Sequence, residues 1–106
     1  MLARFGWADL DAAMVGNVVD AYRSRTLPEI SAKDGYTGTF LAFDRNAGRL
    51  VGVTVWRDEE ALLAHERDEA RHIAEVREAS GAGEPTIEHY EVVLWHVARE
   101  HDAGAM

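Results

Sequence analysis

The sequence predicts an α+β fold, a four-stranded antiparallel sheet with two helices on one face. Two segments carry apolar residues at helical spacing, and the stretch between them is rich in β-branched and aromatic residues. Turn residues divide that stretch in two, so the elements follow in the order strand, helix, strand, strand, helix, strand. Packing two helices on one face of the sheet is the compact solution for this order.

Composition limits the class of protein. A chain of 106 residues, 47% of them hydrophobic, is expected to form one domain over residues 2–98, with a C-terminal tail over 99–106. The absence of cysteine excludes disulfides and thiolate metal sites. A net charge of −8 disfavours nucleic acid and anionic membranes as partners. With no signal-like or membrane-spanning apolar run, the protein is predicted to be cytoplasmic.

The first strand is predicted over residues 2–7. Alternation along a strand places Phe5 and Trp7 on one face and Arg4 on the other. The strand therefore combines an aromatic side with a charged side.

The first helix is predicted from Asp9 or Asp11 to about Arg25. Either aspartate can accept hydrogen bonds from the amides of the first turn. One apolar stripe follows at spacings of three and four, comprising Met14, Val15, Val18, Ala21 and Tyr22. Pro28 is expected to end or kink the helix, because proline cannot continue the hydrogen-bond ladder.

A β-hairpin is predicted at residues 37–43 and 50–56. Asn46 and Gly48 lie in the turn and tolerate backbone angles that other residues resist. Asp58 can then cap a second helix that is expected to run to about residue 79.

The last strand is predicted over residues 86–98, and residues 92–98 are almost continuously apolar. A strand with one face in water alternates apolar and polar residues, so this pattern indicates a sheet covered on both faces. The helices cover one face. The same sheet of a second subunit is the economical cover for the other, so a homodimer is predicted.

Four segments together resemble a known superfamily: G-Y-T-G at 35–38, D-R-N-A-G-R at 44–49, V-T-V-W-R-D-E-E-A-L at 53–62 and E-H-Y-E-V-V at 88–93. They are similar to the dimeric α/β-barrel proteins, and most similar to the antibiotic-biosynthesis-monooxygenase-like (ABM-like) domains. The resemblance covers about residues 2–98. It implies a ferredoxin-like βαββαβ subunit whose sheet pairs with that of a mate.

The resemblance also implies a function. Some members are cofactor-free oxygenases of aromatic polyketides or quinols, and others degrade haem. The expectation here is a cofactor-independent monooxygenase acting on a small aromatic or quinol-type metabolite. The alternative is a non-catalytic small-ligand-binding or stress-associated dimer of the same fold. Haem degraders of the family use an asparagine on the first strand, a tryptophan on the second helix and a histidine further along. The first strand here lacks asparagine, and His65 and Glu75 stand at the other two positions, so haem degradation is disfavoured.

The second helix carries the candidate site. His65, Glu69 and His72 are spaced to share one side of the helix, where they can act in proton transfer. The same spacing suits a divalent metal, although no metal site is predicted, and helix-surface pairs with arginines are the alternative. Leu62, Ile73 and Val76 are expected to form the apolar wall of a ligand pocket, and Trp7 and Tyr90 to contact the ligand. Desolvation is expected to raise the pKa of Glu69.

Overall fold

The computed structural model describes residues 1–80 and 86–98, with the backbone alone for residues 70–80. All strand pairs are antiparallel, and the order across the sheet is β2-β3-β1-β4. The strands are β1 (Leu2–Asp9), β2 (Tyr36–Asp44), β3 (Arg49–Trp56) and β4 (Thr86–Glu91). The predicted α+β, ferredoxin-like fold class is confirmed. The predicted tail over 99–106 lies outside the described residues.

The helices form one layer on the sheet. The first helical run comprises a 3₁₀ turn (Ala12–Met14), α1 (Val15–Ala21), a π-helical turn (Tyr22–Thr26) and α2 (Leu27–Ser31), and α3 spans Glu59–Ser80. Asp11 is the N-cap of this run, because its carboxylate accepts the Ala13 amide at 2.9 Å. No helix in the described part of the chain is long and apolar enough to cross a membrane.

The prediction that the first helix ends near Arg25 is wrong. The helical run continues to Ser31, and Pro28 lies in the first turn of α2, where its missing amide hydrogen costs little. The π-helical turn accommodates the proline. Within it, the Leu27 amide donates to the carbonyl of Tyr22, five residues back.

The hairpin and the start of α3 form as the local signals predict. Gly48 adopts a φ of 65°, and the Asp44 carboxylate accepts the amides of Asn46 and Ala47 inside the turn. Asp58 accepts the Ala61 amide at 2.9 Å and caps α3. These contacts fix the entry of α3 onto the sheet.

The prediction of a last strand reaching Ala98 is wrong, because β4 ends at Glu91. The Val92 amide still donates to the Met1 carbonyl at 2.9 Å, and the chain then leaves the sheet. A Cβ atom added to Gly38 on β2 would lie 3.6 Å from the ring of Trp95. Since β2 and β4 are opposite edges, the segment after β4 crosses the sheet and covers part of its surface.

The sheet has two different faces. We call the side under the helices the helix face; it holds Trp56 and Leu62, both fully buried, packed with Ala61, Leu2 and Tyr36. We call the other side the open face; its buried cluster comprises Ala3, Val53 and Val55, with Phe5, Val51 and Val92 packed against it. Apolar side chains stay exposed beside this cluster, with Val93 90% and Leu94 85% accessible. The open face is thus only partly covered by its own chain.

Candidate functional site

Arg4 is the centre of a charged network between β1 and α3. Strand alternation places it on the helix face, where the residue is only 8% exposed. Its Nε donates to Glu66 Oε2 at 2.8 Å, and its Nη2 lies 2.9 Å from Glu69 Oε2. A buried guanidinium is tolerated only with such partners, so α3 and Arg4 position each other.

His65 lies one helical turn before Glu69 and is 4% exposed. Its ring stacks on Trp56, with centroids 4.6 Å apart and planes at 24°. Its Nε2 is 3.2 Å from Glu69 Oε2, whereas its Nδ1 is buried and has no hydrogen-bond partner among the side chains described. The imidazole is therefore held by stacking and by one charge, with one nitrogen uncommitted.

The attraction of Glu69 to its two partners is electrostatic. Its Oε2 lies at ion-pair distance from Arg4 Nη2 and His65 Nε2, but it has no hydrogen-bond partner of good geometry among the described side chains. Burial opposes ionisation of Glu69, yet His65 and Arg4 outweigh burial and hold the pKa of Glu69 below its usual value. The predicted rise of the Glu69 pKa is wrong, because the expectation included burial and omitted the lowering effects of His65 and Arg4.

Glu66 links the network to the sheet edge. Its Oε2 accepts from Arg4 and lies 2.9 Å from Nε2 of His89 on β4, which is half-exposed. Burial opposes ionisation of Glu66, but the hydrogen bonds from Arg4 and His89 lower its pKa overall. We call the series His65, Glu69, Arg4, Glu66 and His89 the Arg4 network; it runs from the core to the rim.

A tyrosine hydroxyl faces the same space. The Tyr22 hydroxyl is 2.9 Å from Thr39 Oγ1, and Thr39 donates its own proton to the Val53 carbonyl at 2.8 Å. The Tyr22 hydroxyl must therefore be the donor to Thr39. Burial raises the pKa of Tyr22, and the charges of Glu69 and Arg4 also act on it. The phenol is thus protonated, and its partner Thr39 lies on the same face of the sheet as Arg4.

Comparisons with known proteins address the fold. No protein-family model matches the sequence. Two uncharacterised Mycobacterium tuberculosis proteins, MT2634 and Rv2557, are each 29% identical over 95 residues, which is 89% of this chain and 42% of theirs. The chain thus spans less than half the length of the curated relatives it matches.

Solved structures are similar over nearly the whole chain. The Streptomyces coelicolor monooxygenase ActVA-Orf6, in complex with nanaomycin D, has a TM-score of 0.71 at 16% identity and covers 92% of both chains. A candidate antibiotic biosynthesis monooxygenase of Deinococcus radiodurans gives 0.71 at 13% identity, covering 93% of this chain and 99% of that one. The heme-degrader MhuD of Mycobacterium tuberculosis, with two hemes bound, gives 0.67 at 19% identity, covering 92% and 100%.

The chain has the ABM-like fold. The resemblance seen in the sequence is confirmed at the level of architecture, since identities this low establish the fold alone. Within this ABM-like fold the Arg4 network lies between the helical layer and the sheet, on the same side as Tyr22.

The predicted site residues divide between the two faces of the sheet. His65 and Glu69 come together in the Arg4 network, and Leu62 is a core residue beneath α3. Trp7 and Tyr90 lie on the open face, where both pack with Phe5. The side chains of His72, Ile73 and Val76 lie outside the described residues. Among the described side chains, no group of three or more potential ligands is arranged to hold a metal ion.

Three members of the Arg4 network were not predicted from the sequence as site residues: Arg4, Glu66 and His89. The alternation of β1 already placed Arg4 opposite Phe5, and the helix period placed Glu66 beside the inner stripe. Glu66 and Arg4 are 62 residues apart in the chain, so no local pattern signals their pairing.

Proposed function

We propose that the protein is a cofactor-independent monooxygenase that oxidises a small aromatic or quinol-type metabolite between the helical layer and the sheet. The observation that carries the proposal is the convergence of His65, Glu69 and Arg4 on the helix face, to which the Tyr22 hydroxyl also points. Buried acid–base groups with perturbed pKa values, close to aromatic walls, suit proton transfer on a phenolic substrate. A monooxygenase with a bound nanaomycin D has the same fold.

The proposed chemistry begins with removal of the phenolic proton. The carboxylate of Glu69 favours the His65 tautomer that carries its proton on Nε2, so Nδ1 offers a free lone pair as the base. Arg4 stabilises the phenolate by its charge. The electron-rich anion then reacts with O₂. A phenol and O₂ give a quinone and water, so the substrate supplies all the electrons and one oxygen atom enters the product.

Replacing His65 with phenylalanine should lower turnover by about 10²–10⁴-fold, because the ring can still stack on Trp56 but has no nitrogen base. Oxygen consumption with a panel of quinols and polycyclic phenols measures this. His96→Phe, outside the site, serves as the control. Full turnover by a folded His65→Phe variant would remove His65 from the reaction.

The alternative function is non-catalytic binding of a small ligand. It is favoured by the way the charges of the network already satisfy one another, since Arg4 engages both Glu66 and Glu69. Binding of the same phenols without oxygen uptake by the wild-type protein would support this alternative over the oxygenase.

We also infer that the protein is a homodimer in which the open faces meet through the segment after β4, at the end of the sheet away from Trp7 and Asp9. The exposed Val93, Leu94 and Val97 extend the apolar surface of that face. Light scattering should give twice the subunit mass. Val93→Glu should yield a folded monomer, because the side chain is almost fully exposed within one subunit.

Leu63→Glu makes the same apolar-to-acidic change on α3 and should leave the dimer intact. A soluble wild-type monomer, or a Val93→Glu variant that dimerises normally, would contradict this arrangement.

A further inference from the structure

A cavity of about 430 Å³ lies on the open face, at the end of the sheet where β1 finishes. Its walls are Trp7, Ala8, Asp9, Arg49, Thr86 and Glu88. The Arg4 network lies on the other face, and Trp95 crosses the other end of the open face at Gly38. The proposed oxidation uses none of these side chains, so the cavity needs an explanation of its own.

Trp7 gives the cavity a flat apolar wall. The indole is held in place, because Phe5 stacks against it with centroids 5.9 Å apart and planes at 23°. Tyr90 packs edge-on against Phe5 at 5.2 Å and completes a row of three rings. A fixed, half-buried indole is suited to stacking with an aromatic ligand.

Two opposite charges, Asp9 and Arg49, lie at the cavity. Asp9 and Arg49 are directly opposite in the register of β1 and β3, which puts their Cα atoms about 5 Å apart. Neither side chain makes an ion pair or hydrogen bond with another side chain in residues 1–69 or 86–98. Asp44, the neighbour of Arg49 on β2, is occupied by the hairpin turn, where it accepts two amides.

Glu88 is the remaining charged wall residue, and it is engaged by the hydroxyl of Tyr90. A simple anion in the cavity would therefore be repelled by the carboxylates of Asp9 and Glu88. A simple cation would be repelled by the guanidinium of Arg49. A ligand that carries both charges satisfies Arg49 and Asp9 together.

We propose that this cavity binds a small aromatic zwitterion of the amino acid type. The ligand ring stacks on Trp7, its carboxylate pairs with the guanidinium of Arg49, and its ammonium group donates to the carboxylate of Asp9. The volume is in the range of small-molecule sites. This site is separate from the proposed oxidation site and does not depend on it.

Three probes that share one ring test the proposal: L-phenylalanine, phenethylamine and phenylacetate. In an NMR titration of the ¹⁵N-labelled protein, phenylalanine should shift the amides of Trp7, Arg49 and Thr86 and leave that of His65 unchanged. Phenethylamine and phenylacetate should each bind about tenfold more weakly, because each lacks one charge-assisted hydrogen bond. Equal or tighter binding of either analogue would overturn the zwitterion assignment, and so would the absence of shifts at millimolar phenylalanine.

Substitutions assign the two charges. Arg49→Gln should weaken the binding of phenylalanine and of phenylacetate about tenfold and should not weaken the binding of phenethylamine. Asp9→Asn should weaken the binding of phenylalanine and of phenethylamine only. Arg23→Gln, an exposed arginine on the π-helical turn, is the matched control and should bind as the wild type. Wild-type phenylalanine affinity in Arg49→Gln would overturn the proposal. These readouts are independent of oxygen uptake, so this site and the oxidation site can fail separately.

Discussion

Replacing Trp56 with alanine is expected to lower the free energy of unfolding by about 3–5 kcal/mol. The side chain is fully buried between β3 and α3, where it packs with Leu62 and stacks with His65. Its Nε1 also donates to Thr54 Oγ1 at 2.9 Å, and that buried hydroxyl would lose its donor. Because domains of this size are stable by about 5–15 kcal/mol, the variant should be close to unfolding.

Urea unfolding followed by circular dichroism measures the loss. Trp95→Ala is the matched control, because Trp95 is half-exposed and should cost much less. Trp56→Phe retains most of the apolar volume and should lose mainly the hydrogen bond, about 1 kcal/mol, and a small cavity. A loss below about 1 kcal/mol for Trp56→Ala would contradict the central place given to this residue.

Replacing Arg4 with methionine is expected to cost about 3–5 kcal/mol. Methionine fills similar space but leaves Glu66 and Glu69 under α3 without their shared cation. With the guanidinium gone, burial is opposed only by the histidines, so the pKa of each carboxyl should rise. The ionised forms of Glu66 and Glu69 would then be unfavourable in the folded state.

The two proteins should therefore respond to acid in opposite ways. In the wild type the pKa values of Glu66 and Glu69 are lowered by folding, so their contribution is present above the unfolded-state pKa and lost as pH falls through the folded values. In Arg4→Met we expect folding to raise the pKa values of both carboxyls, so protonation at lower pH should stabilise the folded variant. The difference in the free energy of unfolding between the wild type and Arg4→Met should therefore become smaller as the pH falls from 7 to about 4.

Lys33→Met is the control for the Arg4 substitution. Lys33 pairs with Asp68 at 2.8 Å, but the Asp68 side chain is 66% exposed, and surface pairs are worth about 0–1 kcal/mol. Adding Glu66→Gln and Glu69→Gln to Arg4→Met should restore part of the loss. An Arg4→Met protein as stable as the wild type at neutral pH would show that the network is not a structural unit.

Local signals predicted the hairpin and the start of α3, because the turn at Gly48 and the Asp58 cap depend on neighbours a few residues away. The end of β4 could not be predicted in the same way. An apolar run such as residues 92–98 looks alike whether it continues a strand or crosses a sheet. The crossing depends on contact between Trp95 and the distant Gly38.

The candidate site was predicted in part for a similar reason. The helix period correctly placed Glu69 toward the interior and His65 next to it. The pKa of Glu69 is lowered by His65, one helical turn away, and also by Arg4, which lies far from Glu69 in the sequence. Tertiary pairing such as that of Arg4 with Glu69 contributes to the pKa of a buried carboxyl, and periodicity contains no information about it.

The π-helical turn has a consequence for how the first helical run fits the sheet. Tyr22 and Ile30 both point inward, Tyr22 to Thr39 and Ile30 into the interior. Eight residues of uniform α-helix would rotate the two side chains about 80° out of line. The wider turn unwinds the backbone and brings them back to one side. The one extra residue in this turn thus restores the alignment of Tyr22 and Ile30. Without it, only one of these two side chains could point into the interior.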